Sequence, residues 1–269
     1  MSDLRHALRR LASAPGFTAA AAGTLALGIA ATTIVFSLLN AVVLRPLPYR
    51  DPARLTLAWE VMEDGKPWRV APATFRAWRE GSSAFESLAA FGAAARTMTG
   101  RGEPVALHGA RVSSSYFRVL GVAPVLGRDF TDEEERPGGP RSIVLGHALW
   151  RTRFGSDPSI VGKPVVLDGD AFTVVGVAPP APFPTWPMTS GEVSFRSDQQ
   201  DFFVPAALDR TDRPGGRSYV LGVVGRTRAG VSPRAAADDL ARVSRQLHAS
   251  DAASRGVSAS TAPLPRATA

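Results

Sequence analysis

The segment most suggestive of nucleotide chemistry is GSDPSIVGKP, residues 155–164. A phosphate-binding loop leaves four residues between its first glycine and its Gly-Lys pair, followed by a magnesium-binding Ser or Thr. Here six residues separate Gly155 from Gly162, and Pro164 stands where the hydroxyl should be. Because both the spacing and the metal ligand are wrong, the segment does not predict a nucleotide site.

Hydrolytic and metal-binding motifs are also missing from the sequence. It contains neither a G-x-S-x-G nucleophile elbow nor an H-E-x-x-H zinc motif. The histidines are His6, His108, His147 and His248. They lie far apart, and none has a second ligand at metal-binding spacing, so we expect each at the surface or at a helix end.

Two polar clusters could still carry a function. Residues 132–135, Asp-Glu-Glu-Glu, can attract a cation, but such a run is more typical of a solvated loop or a helix start. The three serines at 113–115 precede an apolar run, which predicts a helix cap rather than a nucleophile. We therefore predict a chain that is not an enzyme and that uses no metal and no cofactor.

Composition predicts a folded core and disfavours a nucleic-acid interface. Apolar residues make up 45% of the chain, and the absence of cysteine excludes disulfides and thiolate metal sites. The net charge of +7 comes almost wholly from arginines that are scattered along the sequence, whereas a nucleic-acid binder gathers them into a patch. The densest basic and aromatic neighbourhood is Arg69, Arg76 and Arg79 with Trp68 and Trp78, and we interpret it as a solvated helix face.

An uncharged apolar run extends over 28 residues, 17–44. A helix needs roughly 20 residues to cross a bilayer, whereas the apolar part of a signal peptide is about 7 to 15 residues long. The rival interpretation is a signal peptide cleaved near Gly28-Ile29-Ala30, but the run continues well beyond that point. We therefore predict a cytoplasmic segment at 1–16 and an uncleaved transmembrane helix at 17–44. Arginines flank both ends equally, so charge leaves the orientation open.

The predicted transmembrane helix has one small and polar face. Ala20, Thr24, Gly28 and Thr32 recur every four positions, and the same ridge continues through Phe36 to Asn40. Small residues in line let a second helix approach closely in lipid, and polar side chains can hydrogen-bond across the contact. A lone amide facing lipid is costly, so Asn40 favours a packed helix over a lipid-exposed one.

Beyond Leu44 the sequence predicts an α+β domain at 45–250 followed by a disordered tail at 251–269. Prolines end the apolar run, and short strand and helix patterns then alternate. Strands are expected at 54–60, in EPVALHGARVS and at 218–227, and helices in APATFRAWREGSSAFESLAAF, SSYFRVLGV and VSPRAAADDLARVSRQLHAS. In 54–60, we expect Leu55, Leu57 and Trp59 on one face. Asp168-Gly169 predicts a tight hairpin turn, and Ser232-Pro233 predicts a capped helix start.

The sequence segments of the whole chain and their order carry a stronger signal than any single motif. The opening LRRLASAPGFTAAAAGTLALGIAATTIVFSLLNAVVLRPLPYRDPARLTLAWE closely resembles the start of MacB-like ABC transporter permeases, nearest to their duplicated, acidobacterial-type branch. The agreement continues through TFRAWREGSSAFESLAAF, ARVSSSYFRVLGVAPVLGRDFTDEEE, SIVLGHALWRTRFGSDPSIVGKPVVLDGDAFTVVGVAP, DFFVPA and LGVVGRTRAGVSPRAAADDLARVSRQL. These segments follow the order of the family over residues 4–248.

The resemblance implies a single N-in transmembrane helix followed by a MacB-like periplasmic domain, which has a porter-like α+β part and a β-rich lobe. It implies a non-catalytic permease component of an ABC-type efflux or export system in the bacterial inner membrane, with ATP-driven motion transmitted to the periplasmic domain. The implied partners are the lipid bilayer, the remaining permease helices or a second permease copy, a separate ABC ATPase subunit and a periplasmic adaptor. No nucleic-acid partner is implied.

The family pattern also includes three later transmembrane helices, which residues 45–269 do not supply. We therefore expect a fragment or one half of a split permease. A stand-alone membrane-anchored binding or scaffold module remains the alternative.

Overall fold

The computed structural model describes residues 15–39, 49–100, 102–185, 194–196, 200–208, 221–249 and 256–264. The chain divides into two compact units, one of 1–46 with 266–269 and a second of 47–265. Within the described residues there are five α-helices and thirteen strands. The predicted α+β class is therefore confirmed.

The helices and strands have the following bounds. The helices are α1 (Pro15–Leu39), α2 (Pro72–Gly81), α3 (Tyr116–Leu120), α4 (His147–Phe154) and α5 (Pro233–His248). The strands are β1 (Leu55–Val61), β2 (Pro67–Trp68), β3 (Phe85–Thr99), β4 (Val105–Val112), β5 (Leu126–Gly127), β6 (Ser142–Leu145), β7 (Pro164–Leu167), β8 (Asp170–Val177), β9 (Phe183–Thr185), β10 (Ser194–Arg196), β11 (Phe202–Pro205), β12 (Gly222–Thr227) and β13 (Ser258–Pro263).

The first unit is described through α1, a helix of 25 residues. It includes most of the apolar run, and its large side chains Leu25, Leu27, Ile29 and Phe36 are all more than 60% exposed. Within the described residues, no helix satisfies the joint length and hydropathy requirements for a membrane crossing. The transmembrane helix at 17–44 stays a prediction.

The second unit is built on one mixed sheet of 11 strands. Its main path runs β13-β1-β12-β3-β4-β11-β6-β8-β5, while β2 pairs with β1, and β7 pairs with β3 and β8. Most pairs are antiparallel, but β11 runs parallel to β4 and β6 runs parallel to β8. Strands β9 and β10 form a separate ribbon.

Strand β3 is 15 residues long and contributes to two hydrophobic cores. Its first part places Phe85 and Leu88 against α2 and α5 in the first core. Its last part places Met98 in a second core with strands β4, β6, β7, β8 and β11 and helix α4. The 8 register pairs between β3 and β4 run from Phe91↔Val112 to Met98↔Val105. Strand β3 therefore joins a helix-covered part to a β-rich part, as the resemblance implies.

Helix α5 begins and packs as its sequence predicts. The Ser232 hydroxyl accepts a hydrogen bond from the Ala235 N–H at 3.2 Å, and Pro233 occupies the first turn. Ala236, Leu240 and Val243 are buried in the first core, where apolar burial stabilises the helix. Leu247, the last residue of the predicted stripe, is only half-buried.

The helix predicted over APATFRAWREGSSAFESLAAF is wrong in its second half. Helix α2 ends at Gly81, and Phe85 and Leu88 belong to β3. The Asp239 carboxylate of α5 accepts hydrogen bonds from the Ser82 hydroxyl at 2.6 Å and from the Ala84 N–H at 3.0 Å. These contacts hold the chain in a turn at the point where helical spacing alone would continue the helix.

Two shorter predictions are confirmed. Strands β7 and β8 form a hairpin through Asp168 and Gly169, whose φ values are 52° and 87°. Positive φ at both central residues is the backbone of a tight hairpin turn that follows the sheet twist, which explains the Asp-Gly pair. Helix α3 ends at Gly121, whose φ of 73° gives a left-handed cap.

The disordered tail predicted for 251–269 is wrong for residues 258–263. These residues form β13, which pairs antiparallel with β1 over 6 register positions. Ala259 is buried, and so are Val257 and Leu264 on either side of the strand. The Ala/Ser/Thr composition resembles a linker, but these small residues cover an edge strand that would otherwise expose unpaired backbone groups.

Leu55, Leu57 and Trp59 lie on one face of β1, as predicted for 54–60, but β1 is buried on both faces. Leu55 and Leu57 are buried as expected, but Thr56, Ala58 and Glu60 are buried as well. Ala58 packs in the first core, so the face of β1 opposite Leu55 and Leu57 is covered as well. The burial of Glu60 has consequences for pH dependence.

Candidate functional site

The three serines at 113–115 lie where β4, α3 and β3 meet, and they act as a junction. The Ser113 hydroxyl accepts a hydrogen bond from the Ala90 N–H at 3.0 Å, and the Ser115 hydroxyl donates to the Leu88 carbonyl at 2.8 Å. Ser115 precedes α3 but makes no side-chain cap hydrogen bond. The predicted helix cap is therefore wrong in its chemistry, because these hydroxyls bind the neighbouring strand instead.

The middle serine connects this junction to the acidic segment. The Glu135 carboxylate accepts hydrogen bonds from the Ser114 N–H at 2.9 Å and from the Ser114 hydroxyl at 2.7 Å. Its other oxygen accepts from Arg79 of α2 at 3.0 Å. A single carboxylate thus joins α2, the start of α3 and the 132–135 segment.

The solvated loop predicted for 132–135 is wrong for its last two residues. Glu134 and Glu135 are buried, whereas Asp132 and Glu133 are exposed. Glu134 receives two hydrogen bonds from Arg128, at 3.0 and 2.8 Å, and a further one from the Ser142 hydroxyl. Although burial opposes it, this hydrogen bonding lowers the pKa of Glu134 to about 2.

A cleft of about 520 Å³ opens beside this junction. Its charged lining residues are Arg76, Arg79, Arg118, Arg136, Glu80, Glu86, Asp132 and Glu135. The four arginines and four carboxylates give these residues a formal charge of zero. Two of them, Arg79 and Glu135, form an ion pair. The lining residues of the cleft include no histidine.

Glu60 is the most perturbed acidic group of the first core. Its side chain is buried, and one carboxylate oxygen accepts a hydrogen bond from the Ala71 N–H at 3.3 Å, just before α2. Burial raises the pKa of Glu60 to about 7, and the hydrogen bonding offsets only part of this effect. Glu60 therefore changes charge near neutral pH.

The predicted packing face lies on α1 only in part. The Thr24 hydroxyl donates to the Ala20 carbonyl at 2.5 Å, and the Thr32 hydroxyl donates to the Gly28 carbonyl at 2.8 Å. These hydroxyls are hydrogen-bonded within their own helix, as such side chains commonly are in apolar helices. Asn40 lies outside the described residues, and the face stays a prediction.

The remaining sequence candidates have local structural explanations. The Lys163 ammonium lies 3.0 Å from the Asp157 carboxylate, and its nearest hydroxyl is that of Ser159 at 2.7 Å. His108 is exposed and His147 is half-buried, but His248 is buried at the end of α5, and His6 lies outside the described residues. Across the described ranges, no three His, Asp or Glu side chains form a cluster suited to a metal ion.

The basic and aromatic neighbourhood around α2 is not a solvated face throughout. Trp78 is fully buried, and its indole N–H donates to the Ser244 hydroxyl of α5 at 2.9 Å. Arg79 pairs with Glu135, and its guanidinium lies 5.4 Å from the Phe75 ring centroid. Trp68 is 51% exposed. These residues mainly join α2 to its neighbours.

Sequence reasoning missed two buried charges, Glu60 and Arg226. Each stands in a strand among apolar neighbours, in LAWEV and VVGRT respectively. A charge at such a position is the available signal, because charged side chains are rarely fully buried unless they are paired. Their buried positions follow from the central placement of β1 and β12, which local spacing does not reveal.

Comparison with known families gives a clear assignment. The family model described as the MacB-like periplasmic core domain matches residues 18–243. The chain therefore belongs to the MacB-like periplasmic core domain family. Among the curated proteins, no sequence matches the chain.

Solved structures support the same fold. The chain is similar to the periplasmic region of MacB from Actinobacillus actinomycetemcomitans, with 12% identity, a TM-score of 0.55 and coverage of 84% of this chain and 91% of that one. It is similar to a domain described as a permease protein from Porphyromonas gingivalis, with 15% identity, a TM-score of 0.59 and coverage of 81% and 94%.

A third similar structure is the extracellular domain of the noncanonic ABC-type transporter YknZ from Gram-positive bacteria, with 16% identity, a TM-score of 0.53 and coverage of 77% and 99%. At these identities the likeness defines the fold alone. The family resemblance is confirmed, and its duplicated, acidobacterial-type branch stays a prediction.

Replacing Glu135 with Ala tests the junction. We expect Glu135→Ala to lower the free energy of unfolding by about 2 kcal/mol or more, because it removes an acceptor from Arg79 and from the buried Ser114 N–H. The matched control is Glu133→Ala, an exposed neighbour, for which we expect a change within about 0.5 kcal/mol. Urea unfolding, monitored by tryptophan fluorescence, measures the free energy of unfolding of both variants. Equal small decreases in the two variants would contradict the buried junction.

Replacing Glu60 with Gln tests the buried carboxyl. Its pKa in the folded protein is raised from 4.5 to about 7, so its stabilising protonated form is fully present below pH 4.5 and is lost as the pH rises through 7. We expect wild type to lose about 3 kcal/mol relative to Glu60→Gln over this window. The exposed Glu63→Gln variant should follow wild type. Parallel unfolding curves for wild type and Glu60→Gln at every pH would contradict the assignment.

Proposed function

We propose that the chain is a non-catalytic permease component of an ABC-type export system. In this proposal, a separate ABC ATPase subunit drives movements of membrane helices, and residues 47–265 transmit that movement on the periplasmic side. The chain lies in the bacterial inner membrane, crosses it once and contacts the bilayer. It assembles with the remaining permease helices or a second permease copy, and a periplasmic adaptor is a further partner.

The observation that carries this proposal is the family match to residues 18–243, which begins inside the apolar segment and continues through the folded unit. A helix with exposed Leu25, Leu27 and Ile29 is unfavourable in water and suits a lipid or helix-bundle environment. The hydroxyls of Thr24 and Thr32 donate to carbonyls of the same helix, which supports an apolar surrounding because no water is needed to satisfy them.

The non-catalytic part of the proposal rests on how the polar groups of the folded unit are used. Ser114, Glu134 and Glu135 are hydrogen-bonded to structural partners, and the lysine of the 155–164 segment is held by Asp157. These contacts stabilise turns and junctions between elements. A module of this kind can transmit motion without chemistry of its own.

Assembly through the small face of α1 can be tested with two glycines of the same helix. Among the described residues, a Cβ added at Gly28 or at Gly23 meets nothing within 4 Å, so both positions have room for a side chain. At 3.6 residues per turn, Gly23 lies about 140° around the helix from Gly28. Gly28→Leu should therefore block close helix approach, whereas Gly23→Leu serves as the matched control.

The measurement is affinity purification of the tagged full chain from membranes of its host in mild detergent, followed by mass spectrometry. We expect an ABC ATPase and further permease helices to co-purify with wild type and with Gly23→Leu, and their yield to fall at least about fivefold with Gly28→Leu. Membrane-bound chain without an ATPase partner would favour the stand-alone anchored module. Equal yields from both variants would contradict the packing face.

A further inference from the structure

A second cleft, of about 340 Å³, lies where the start of the folded unit meets α3 and β12. Its charged lining residues are Arg50, Arg54, Arg118, Arg226, Asp51 and Glu86. Four arginines face two carboxylates, so the cleft carries a formal excess of two positive charges. This excess distinguishes it from the larger cleft, whose charges balance.

Arg226 forms the wall of this cleft, and it is a buried cation among neutral partners. The residue is only 5% exposed. Its guanidinium donates to the Val119 carbonyl at 2.9 and 3.1 Å and to the Arg50 carbonyl at 2.7 Å. No carboxylate of the described residues pairs with it within 4.0 Å. The carbonyls satisfy its hydrogen bonds but leave its charge uncompensated, which is costly in a buried position.

The carboxylates of the cleft do not neutralise this excess. Glu86 is engaged by Arg54 at 2.5 Å. Asp51 lies 4.0 Å from Arg50, with side chains 58% and 81% exposed, so water screens the pair. Arg118 lies 3.9 Å from Asp132, a pair that is similarly exposed. Arg50 and Arg118 therefore keep donors available at the mouth of the cleft.

The backbone brings these groups together closely. Gly121 has a φ of 73°, and a Cβ at this position would lie 2.6 Å from the Arg50 Cβ and 3.3 Å from an Arg226 guanidinium nitrogen. Only glycine permits this approach of the end of α3 to the two arginines. Burial is the main cause that lowers the pKa of Arg226 below its ordinary value, and the charge of Arg54 adds to it against the opposite effects of Glu86 and Asp51.

We propose that this cleft binds a phosphate group, held by Arg50 and Arg118 at its mouth in the positive potential of the buried Arg226. Guanidinium groups suit phosphate because their planar donors match its oxygens, often with two hydrogen bonds per group. The phosphate belongs either to a phospholipid headgroup or to a soluble molecule. Arg50 follows Leu44 by six residues, which span at most about 20 Å, so a headgroup at the end of the predicted membrane helix is within reach.

The test uses the full chain in uncharged detergent micelles, titrated separately with inorganic phosphate, short-chain phosphatidylglycerol and short-chain phosphatidylcholine. We expect saturable binding of phosphate or of phosphatidylglycerol, and at least about a tenfold weakening in Arg50→Gln and in Arg118→Gln. The matched control is Arg151→Gln, an exposed arginine of α4 that removes the same charge and should bind as wild type does.

The ligands that bind identify the source. Binding of both inorganic phosphate and phosphatidylglycerol supports a general phosphate site, and binding of phosphatidylglycerol alone supports a lipid headgroup. The choline group of phosphatidylcholine is a cation that neutralises the charge of the phosphate. Phosphatidylcholine should therefore bind more weakly than phosphatidylglycerol. The proposal is overturned if neither phosphate nor phosphatidylglycerol binds saturably, or if Arg50→Gln, Arg118→Gln and Arg151→Gln all match wild type. The ligand titration does not depend on co-purification of an ATPase. The proposal of a phosphate site and the proposed function can therefore be contradicted separately.

Discussion

Strand β3, which pairs with β12 over its first part and with β4 over its last part, is the constraint on which the rest of the second unit depends. Strand β3 is shared by both hydrophobic cores, with Phe85 and Leu88 at one end and Met98 at the other. Cores are closely packed, so displacement of one end of such a strand cannot be absorbed locally. The proposed transmission of movement relies on this arrangement.

Polar contacts hold the helices to strand β3. Ser113 and Ser115 bind the backbone of β3, while Glu135 connects Ser114 to Arg79 of α2. The sequence predicts a solvated loop or helix start for the acidic segment and a helix cap for the serines, but both join elements of the fold.

Local signals in the sequence predicted the elements whose causes are themselves local. The Asp168-Gly169 turn and the Ser232-Pro233 helix start depend on neighbouring backbone, and both are confirmed. The end of α2 depends on Asp239, and the order of 258–263 depends on pairing with β1, so both required knowledge of distant contacts. The phosphate cleft likewise joins Arg50 to Arg226 across the whole unit, and no motif marks it.

The central claim is that residues 47–265 form a periplasmic module on a single membrane-crossing segment. The chain has no cysteine, so single cysteines can be introduced at Ser2 and at the exposed Thr152 of α4 without background labelling. The measurement is the extent to which a membrane-impermeant maleimide labels each cysteine, first in intact spheroplasts and then after lysis. The account predicts that Thr152→Cys reacts in intact spheroplasts and that Ser2→Cys reacts only after lysis. Protection of Thr152→Cys until lysis would contradict it.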